Sequence, residues 1–277
     1  MSKGPNSGAR KAAAGKVKPR ASAAAGTSSV SGGSVVMQSD GVIQTREPFP
    51  ELPDVVISKN LGGSTGAMLV HSPSGGAYVL KRGSSEEHLL EEATADNCYR
   101  ALGVAVPDSK LYGPGEAGGS AAKLSRFVSG RTLEEVREER DREANAWIKE
   151  RARESFAADA LLANWDAAGL DLDNLMLAED GEVYRMDNGG ALRFRAMGAP
   201  KGDKFSSSVP ELDSMRDPSR SAGRVYAAVS DGEVAVQIRE RLSPKREALK
   251  KALAHDEGLS ETVMARLDYL ERWAEDK

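Results

Sequence analysis

The chain has 277 residues, a net charge of -4 and one cysteine, Cys98, so it holds one large or two small domains and excludes an intrachain disulfide. The near balance of charge argues against a general nucleic-acid binder, and no stable nucleic-acid partner is expected. No apolar run nears the ~20 residues that span a bilayer, and the start has no apolar signal core, so the expected location is a reducing cytoplasm.

Charge is uneven along the chain. Residues 1–45 carry Lys3, Arg10, Lys11, Lys16, Lys18 and Arg20 against Asp40 alone, a net of +5, which leaves -9 for the remainder. The stretch is rich in Ala, Gly and Ser and has too little apolar surface to offset ordering entropy. It reads as a disordered basic tail that could meet an acidic partner. The alternative location, an exported effector in a host cytoplasm, rests on this tail.

Order is expected to begin near residues 48–53. Val55, Val56 and Ile57 open a strand. Asn60-Leu61-Gly62-Gly63-Ser64-Thr65-Gly66 is a glycine-rich turn, and strands follow at 67–70 and 77–81 around a Ser-Pro-Ser-Gly-Gly turn. Residues 86–102 read as a helix capped by Ser84 or Ser85, with Leu89 and Ala93 in its buried stripe and Gly103 at its end. A further strand is expected at 122–128. Beyond Ser129-Gly130 the pattern turns helical: a charged segment at 132–153, an apolar helix at 155–164, a hairpin at 175–186, and helices near 222–242 and 245–273. Strands with one helix, then helices around a small hairpin, suggest a sheet-rich lobe and a helical lobe.

Between the apolar runs lies LLANWDAAGLDLDNLML, residues 161–177. Three acids and two amides there suit either a surface turn or a loop that handles phosphate, metal and a hydroxyl. Phosphoryl transfer needs backbone amides and a cation for the phosphates, oxygens for magnesium, and an acid to orient the hydroxyl. Gly62, Gly63 and Gly66 allow close backbone approach. Lys81 ends a strand, and Glu92, or its rival Glu91, lies on the next helix to pair with it. Asp166 opens the acidic loop, Asn174 closes it, and Asp187 precedes Asn-Gly-Gly. A calcium-binding loop starting at Asp171 fails, because its sixth position is Met176 where glycine is needed.

These motifs, in order, resemble an atypical kinase of the broad group that includes phosphoinositide kinases, actin-fragmin kinase and bacterial HipA-like protein kinases. The resemblance rests on GGSTGA at 62–67, VLK at 79–81, EEATADNCYRALGVAVP at 91–107, LSRFVSG at 124–130, NWDAAGLDLDNLML at 164–177 and YRMDNGG at 184–190. It implies an α+β, two-lobed protein-kinase-like fold, with a tail at 1–45, a small lobe at 46–128 and a helical lobe at 129–277. It implies ATP and Mg2+ as cofactors. Gly62, Gly63, Ser64, Thr65, Gly66 and Lys81 would hold the nucleotide phosphates, and Arg126, Phe127 and Val128 would line the adenine slot. Glu92 would partner Lys81, Asp166 would be the catalytic acid, and Asn174 and Asp187 the magnesium ligands.

The interval from Asp166 to Asn174 is eight residues, where related groups usually have five, which leaves Asp171 as a rival acid. The short helical half and the lack of a membrane-inserting loop favour a protein hydroxyl over a phosphoinositide as acceptor. Arg193, Arg195, Lys201 and Lys204 make the segment after Asp187 basic, suited to an acidic substrate or a phosphorylated loop, and Ser206 to Ser208 are conceivable modification sites. AMP transfer, a small-molecule or phosphoinositide kinase, and an inactive pseudokinase adaptor are the competing functions.

Overall fold

Glycine turns and short β-branched or aromatic runs fold the segment after Val55 into an antiparallel sheet. The computed structural model describes residues 35–37, 43–45, 47–62, 66–83 and 85–277. Residues 1–48 and 49–277 form two units. In the first, β1 (Val35–Met37) pairs antiparallel with β2 (Ile43–Thr45), two strands the composition of the tail did not suggest. The remaining tail residues, 1–34 and the positions around these strands, lie outside the described ones.

The second unit opens with the sheet. Its strands are β3 (Val56–Gly62), β4 (Ala67–His71), β5 (Ala77–Lys81), β6 (Ser109–Tyr112) and β7 (Ala122–Arg126), in the order β3-β4-β5-β7-β6. β3 is an edge strand with two register shifts against β4, a device that blunts an open edge. Leu52, Val70, Tyr78, Leu80, Tyr112 and Leu124 form this lobe's core.

Between β5 and β6 runs α1 (Glu86–Leu102). Ser85 caps it, its hydroxyl accepting from His88 N, and Gly103 ends it at φ 79°, a conformation glycine adopts without strain. The C-terminal half of α1 belongs to the other lobe: Ala95, Cys98, Tyr99 and Leu102 join the larger helical core.

That lobe begins with β8 (Gly130–Thr132), which pairs with β9 (Leu175–Ala178), itself paired with β10 (Val183–Arg185). A Cβ at Gly130 would run into the Leu177 carbonyl, so the close pass of β8 over β9 needs glycine. The charged segment at 132–153, expected to include an exposed helix, holds two helices, α2 (Leu133–Glu138) and α3 (Arg142–Arg153), separated where Arg140 turns left-handed at φ 60°. Each has its own cap, a Thr132–Glu135 capping box and Asp141. The apolar helix is α4 (Phe156–Leu161). Short helices α5 (Glu211–Ser214) and α6 (Gly223–Tyr226) follow, then α7 (Asp231–Gln237), α8 (Arg246–Ala252) and α9 (Glu257–Glu275). Ser230 and Glu233 form the capping box that starts α7. The molecule from residue 49 onward is thus α+β and two-lobed: a small antiparallel sheet with one long helix, then a mostly helical part. Among the described residues no helix is long and apolar enough to cross a membrane.

Candidate active site

Antiparallel register sets Lys81 of β5 directly opposite Lys123 of β7. Both lysines reach the same carboxylate oxygen on α1: Lys81 Nζ lies 3.1 Å and Lys123 Nζ 2.8 Å from Glu92 Oε1. Lys123 also bonds Asp96 Oδ2 at 2.6 Å, and Lys81 bonds Asp187 Oδ2 at 2.9 Å. Burial works against every charge here, but the pairing outweighs it. Glu92 is held well below the carboxylate range by Lys123 and Lys81. Lys81 is held above its ordinary value by Glu92 and Asp187, and Lys123 by Asp96 and Glu92. The rival Glu91 faces away from Lys81. It accepts Arg193 Nη2 at 2.6 Å and the Arg193 backbone N–H at 2.8 Å.

The acidic loop leaves α4 through Ala163, left-handed at φ 50°, into buried Asn164. It closes on itself: Asn174 Nδ2 donates to the Asp166 carbonyl at 2.9 Å and to Asp166 Oδ2 at 3.2 Å. The loop makes a tight bend at 166–169, where Gly169 N–H bonds back to the Asp166 carbonyl. A Cβ at Gly169 would collide with Asp173 Oδ1. Asp171 is carried to the exposed outer side, where it lines a groove with Glu134, Arg137 and Arg224. Of the two rival acids, Asp166 is the one brought to Asn174. Burial raises the Asp166 carboxyl to about 6, with Asp187 and Asp173 adding to the rise and the Asn174 bond opposing it.

β10 delivers Asp187, whose Oδ1 accepts the Gly189 N–H at 3.1 Å. Gly190 passes so close to the acidic loop that a Cβ there would sit 3.0 Å from Asp166 Cβ. The next residue after Asp187, Asn188, is buried and donates to Asp96 Oδ1 at 2.8 Å, and Asn164 donates to Asn188 Oδ1 and to the Tyr99 hydroxyl. His88 Nε2 bonds the Gly189 carbonyl at 2.8 Å. Lys81, Glu92, Asp166, Asn174 and Asp187 are therefore gathered at one place, beside buried Asn164 and Asn188 of the two loops and His88, Asp96 and Tyr99 of α1.

The other sequence candidates lie as follows. Gly62 and Gly66 border the β3–β4 turn at φ 79° and 62°, with open space where side chains would be. Gly63, Ser64 and Thr65 lie outside the described residues. At the end of β7 the Arg126 guanidinium lies over the Phe49 and Tyr78 rings, and the N–H groups of Arg126 and Phe127 bond the Asp108 and Ala77 carbonyls. Phe127 is largely exposed and Val128 half-buried. The basic segment after Asp187 differs from expectation. Arg193, though exposed, is engaged by Glu91 and Asp256, and Lys201 is buried among backbone carbonyls, so Lys201 is not a surface cation for a substrate. Arg195 and Lys204 are exposed.

Oxygen chemistry at Asp187 and Asn174 suits magnesium, which takes one or two carboxylates beside phosphates and waters. Asn174 spends its amide nitrogen on Asp166, which leaves its amide oxygen outside that bond. Lys123, Asp96, Asn164, Asn188 and His88 escaped the sequence reading. The one signal for them was a lysine, Lys123, flanked by Ala122 and Leu124 in the interior of the strand Ala122–Arg126.

Neither a family model nor a curated protein sequence matches the chain. Among solved structures, one of a Helicobacter pylori proinflammatory kinase, CtkA, is similar at a TM-score of 0.43 and 14% identity, over 80% of this chain and 96% of that one. A likeness that faint carries no chemistry, which rests on the residues.

Proposed function

We propose that the protein is an ATP- and magnesium-dependent phosphotransferase that acts on a Ser or Thr hydroxyl of a protein. The observation that supports this most is the Lys81 ammonium, bound at once to Glu92 at 3.1 Å and Asp187 at 2.9 Å, with the Asp166–Asn174 pair packed against Gly190 of the same loop. Glu92 holds Lys81 in place, and the buried Lys123 holds Glu92. Lys81 would meet the donor phosphates, and Asn174 and Asp187 would hold the metal. Bound there, magnesium neutralises charge on the donor phosphates.

Asp166 performs the proton step. With its carboxyl near 6 it is mostly ionised at neutral pH and accepts the acceptor's proton. The acceptor oxygen then bonds the terminal phosphorus, the bond from that phosphorus to the bridging oxygen breaks, and ADP departs. Glycines at 62 and 66 flank the turn that would cover the phosphates. Exposed Arg195 and Lys204 on the segment beyond Asp187 favour a polypeptide acceptor carrying acidic residues over a small metabolite.

The test is incubation with ATP labelled on the terminal phosphate, magnesium and a lysate, beside Asp187→Ala. Label on protein that disappears in the variant supports the reading. Release of pyrophosphate in place of ADP would assign AMP transfer instead. Tight nucleotide binding with no turnover under any acceptor would leave an adaptor.

A further inference from the structure

Lys201 stands apart from the residues above, and its surroundings are unusual for a lysine. It follows a small hairpin closed by the Phe194–Pro200 bridge and by the Arg195 N–H to Ala199 carbonyl bond. Its side chain is only 4% exposed. Nζ donates to the carbonyls of Ala163 at 2.7 Å, Gly190 at 2.8 Å and Leu192 at 2.7 Å. An ammonium has three donors, and each has an acceptor. The Trp165 ring faces the same nitrogen at 5.0 Å.

Those carbonyls belong to two different loops. Ala163 lies three residues before Asp166, and Gly190 three residues after Asp187. Ala163 and Leu192 are both left-handed, at φ 50° and 54°, and Leu192 N–H bonds the Leu162 carbonyl. At this crossing Gly190 also packs against Asp166. A neutral amine has two donors and would set a lone pair against one carbonyl, so the arrangement calls for the charged form. Burial pushes the lysine down to about 7 while Glu211 pulls it up, and the three carbonyl bonds favour the ammonium further.

The structure assigns Lys201 a positioning role: its ammonium ties the backbone of the acidic loop to the backbone of the Asp187 loop and so sets the spacing of the proton acceptor from the metal-binding carboxylate. This rests on the phosphotransfer reading. The competing account is a buried cation that stabilises the fold and has no bearing on the spacing.

Lys201→Ala separates the two. Turnover should fall about 100-fold in kcat, as a misplacement of reacting groups by about 1 Å does, with the KM for ATP within about threefold. Hydrogen exchange should quicken in residues 162–166 and 188–193 and nowhere else. Propylammonium, which replaces the missing atoms, should restore at least part of kcat, and 1-propanol should not. Retention of kcat within about threefold would overturn the assignment, and so would exchange that quickens evenly along the chain without rescue by the amine. If Lys201→Ala does not fold, Lys201→Met, whose stem fills the same space, is judged by kcat and exchange alone. A parent protein without turnover sinks the phosphotransfer reading only, and exchange in the two loops then still decides whether Lys201 ties them.

Discussion

Asp166 is a carboxylate held where water would not choose to put it. Its pKa is raised to about 6 by burial and by Asp187 and Asp173, against roughly 3.9 in an unfolded chain. The folded protein therefore binds the proton more tightly. Its favourable contribution is complete below about pH 4 and is lost as pH rises through about 6. At pH 7.5 the ionised group is a burden that Asp166→Asn removes. After discounting for the solvent that still reaches this half-buried group, the gain is about 1–2 kcal/mol. The variant should melt a few degrees higher at pH 7.5, with the difference shrinking toward pH 4, while losing phosphoryl transfer. A lower melting point at pH 7.5 would mean that the carboxylate is better satisfied than its surroundings indicate. At this scale the sequence was informative for residues that announce themselves by motif, such as Asp166, Asn174 and Asp187. It was silent on Lys201, because nothing in ALRFRAMGAPKGDK distinguishes a lysine pointing inward from the three surface cations around it. Only the fold brings Ala163, Gly190 and Leu192 to one nitrogen.

The element that organises the site is α1. Its limits were legible, since Ser85 and Gly103 are strong end signals and both act as such. Its buried face was not. Positions 88, 92, 96 and 99 are spaced by three or four residues and share one side of the helix, with 91 on its flank, yet the five are His, Glu, Asp, Tyr and Glu. An apolar stripe shows only apolar anchors, of which Leu89 is fully buried and Ala93 half-buried, and says nothing of these five. Each of these side chains is instead spent on a partner: His88 on Gly189, Glu91 on Arg193, Glu92 on both lysines, Asp96 on Lys123 and Asn188, Tyr99 on Asp159. Lys123 is the residue on which this depends most, being 3% exposed and shared by two carboxylates. Lys123→Met leaves Asp96 without a cation and Glu92 with Lys81 alone, and the expected loss is about 3–5 kcal/mol, the usual cost of removing one partner from a buried ion pair. Lys81→Met should cost clearly less, since Glu92 keeps Lys123 and Asp187 remains 43% exposed to water. Denaturant melts of the two variants check the ranking, and equal losses would mean that Lys123 is not the anchor.

At the scale of the molecule, the question is where the self-sufficient fold begins. Residues 49–277 form a unit of their own, and its first residues are part of the sheet lobe's core. Phe49 lies 5.8 Å from the Tyr78 ring and under the Arg126 guanidinium, the Pro50 carbonyl accepts the Tyr112 hydroxyl, and Leu52 is 8% exposed. Charge and composition put the expected boundary of the tail near residue 45, because a core needs apolar side chains and the preceding stretch has few. A chain of residues 47–277 should unfold at the parent's denaturant midpoint within error and keep its turnover. A chain of residues 56–277 loses Leu52, the stack on Tyr78 and the acceptor of a buried hydroxyl. Burial of Leu52 alone stands for roughly 2 kcal/mol and an orphaned Tyr112 hydroxyl for about 1–3 more, enough to lower the midpoint visibly in a domain of marginal stability. The loss falls on β5 and β7, whose paired lysines hold Glu92, so the shorter chain should also bind nucleotide more weakly. If it melts and binds as the longer one does, the segment from Phe49 to Val55 is an ornament on the sheet, and the β5–β7 register stands without it.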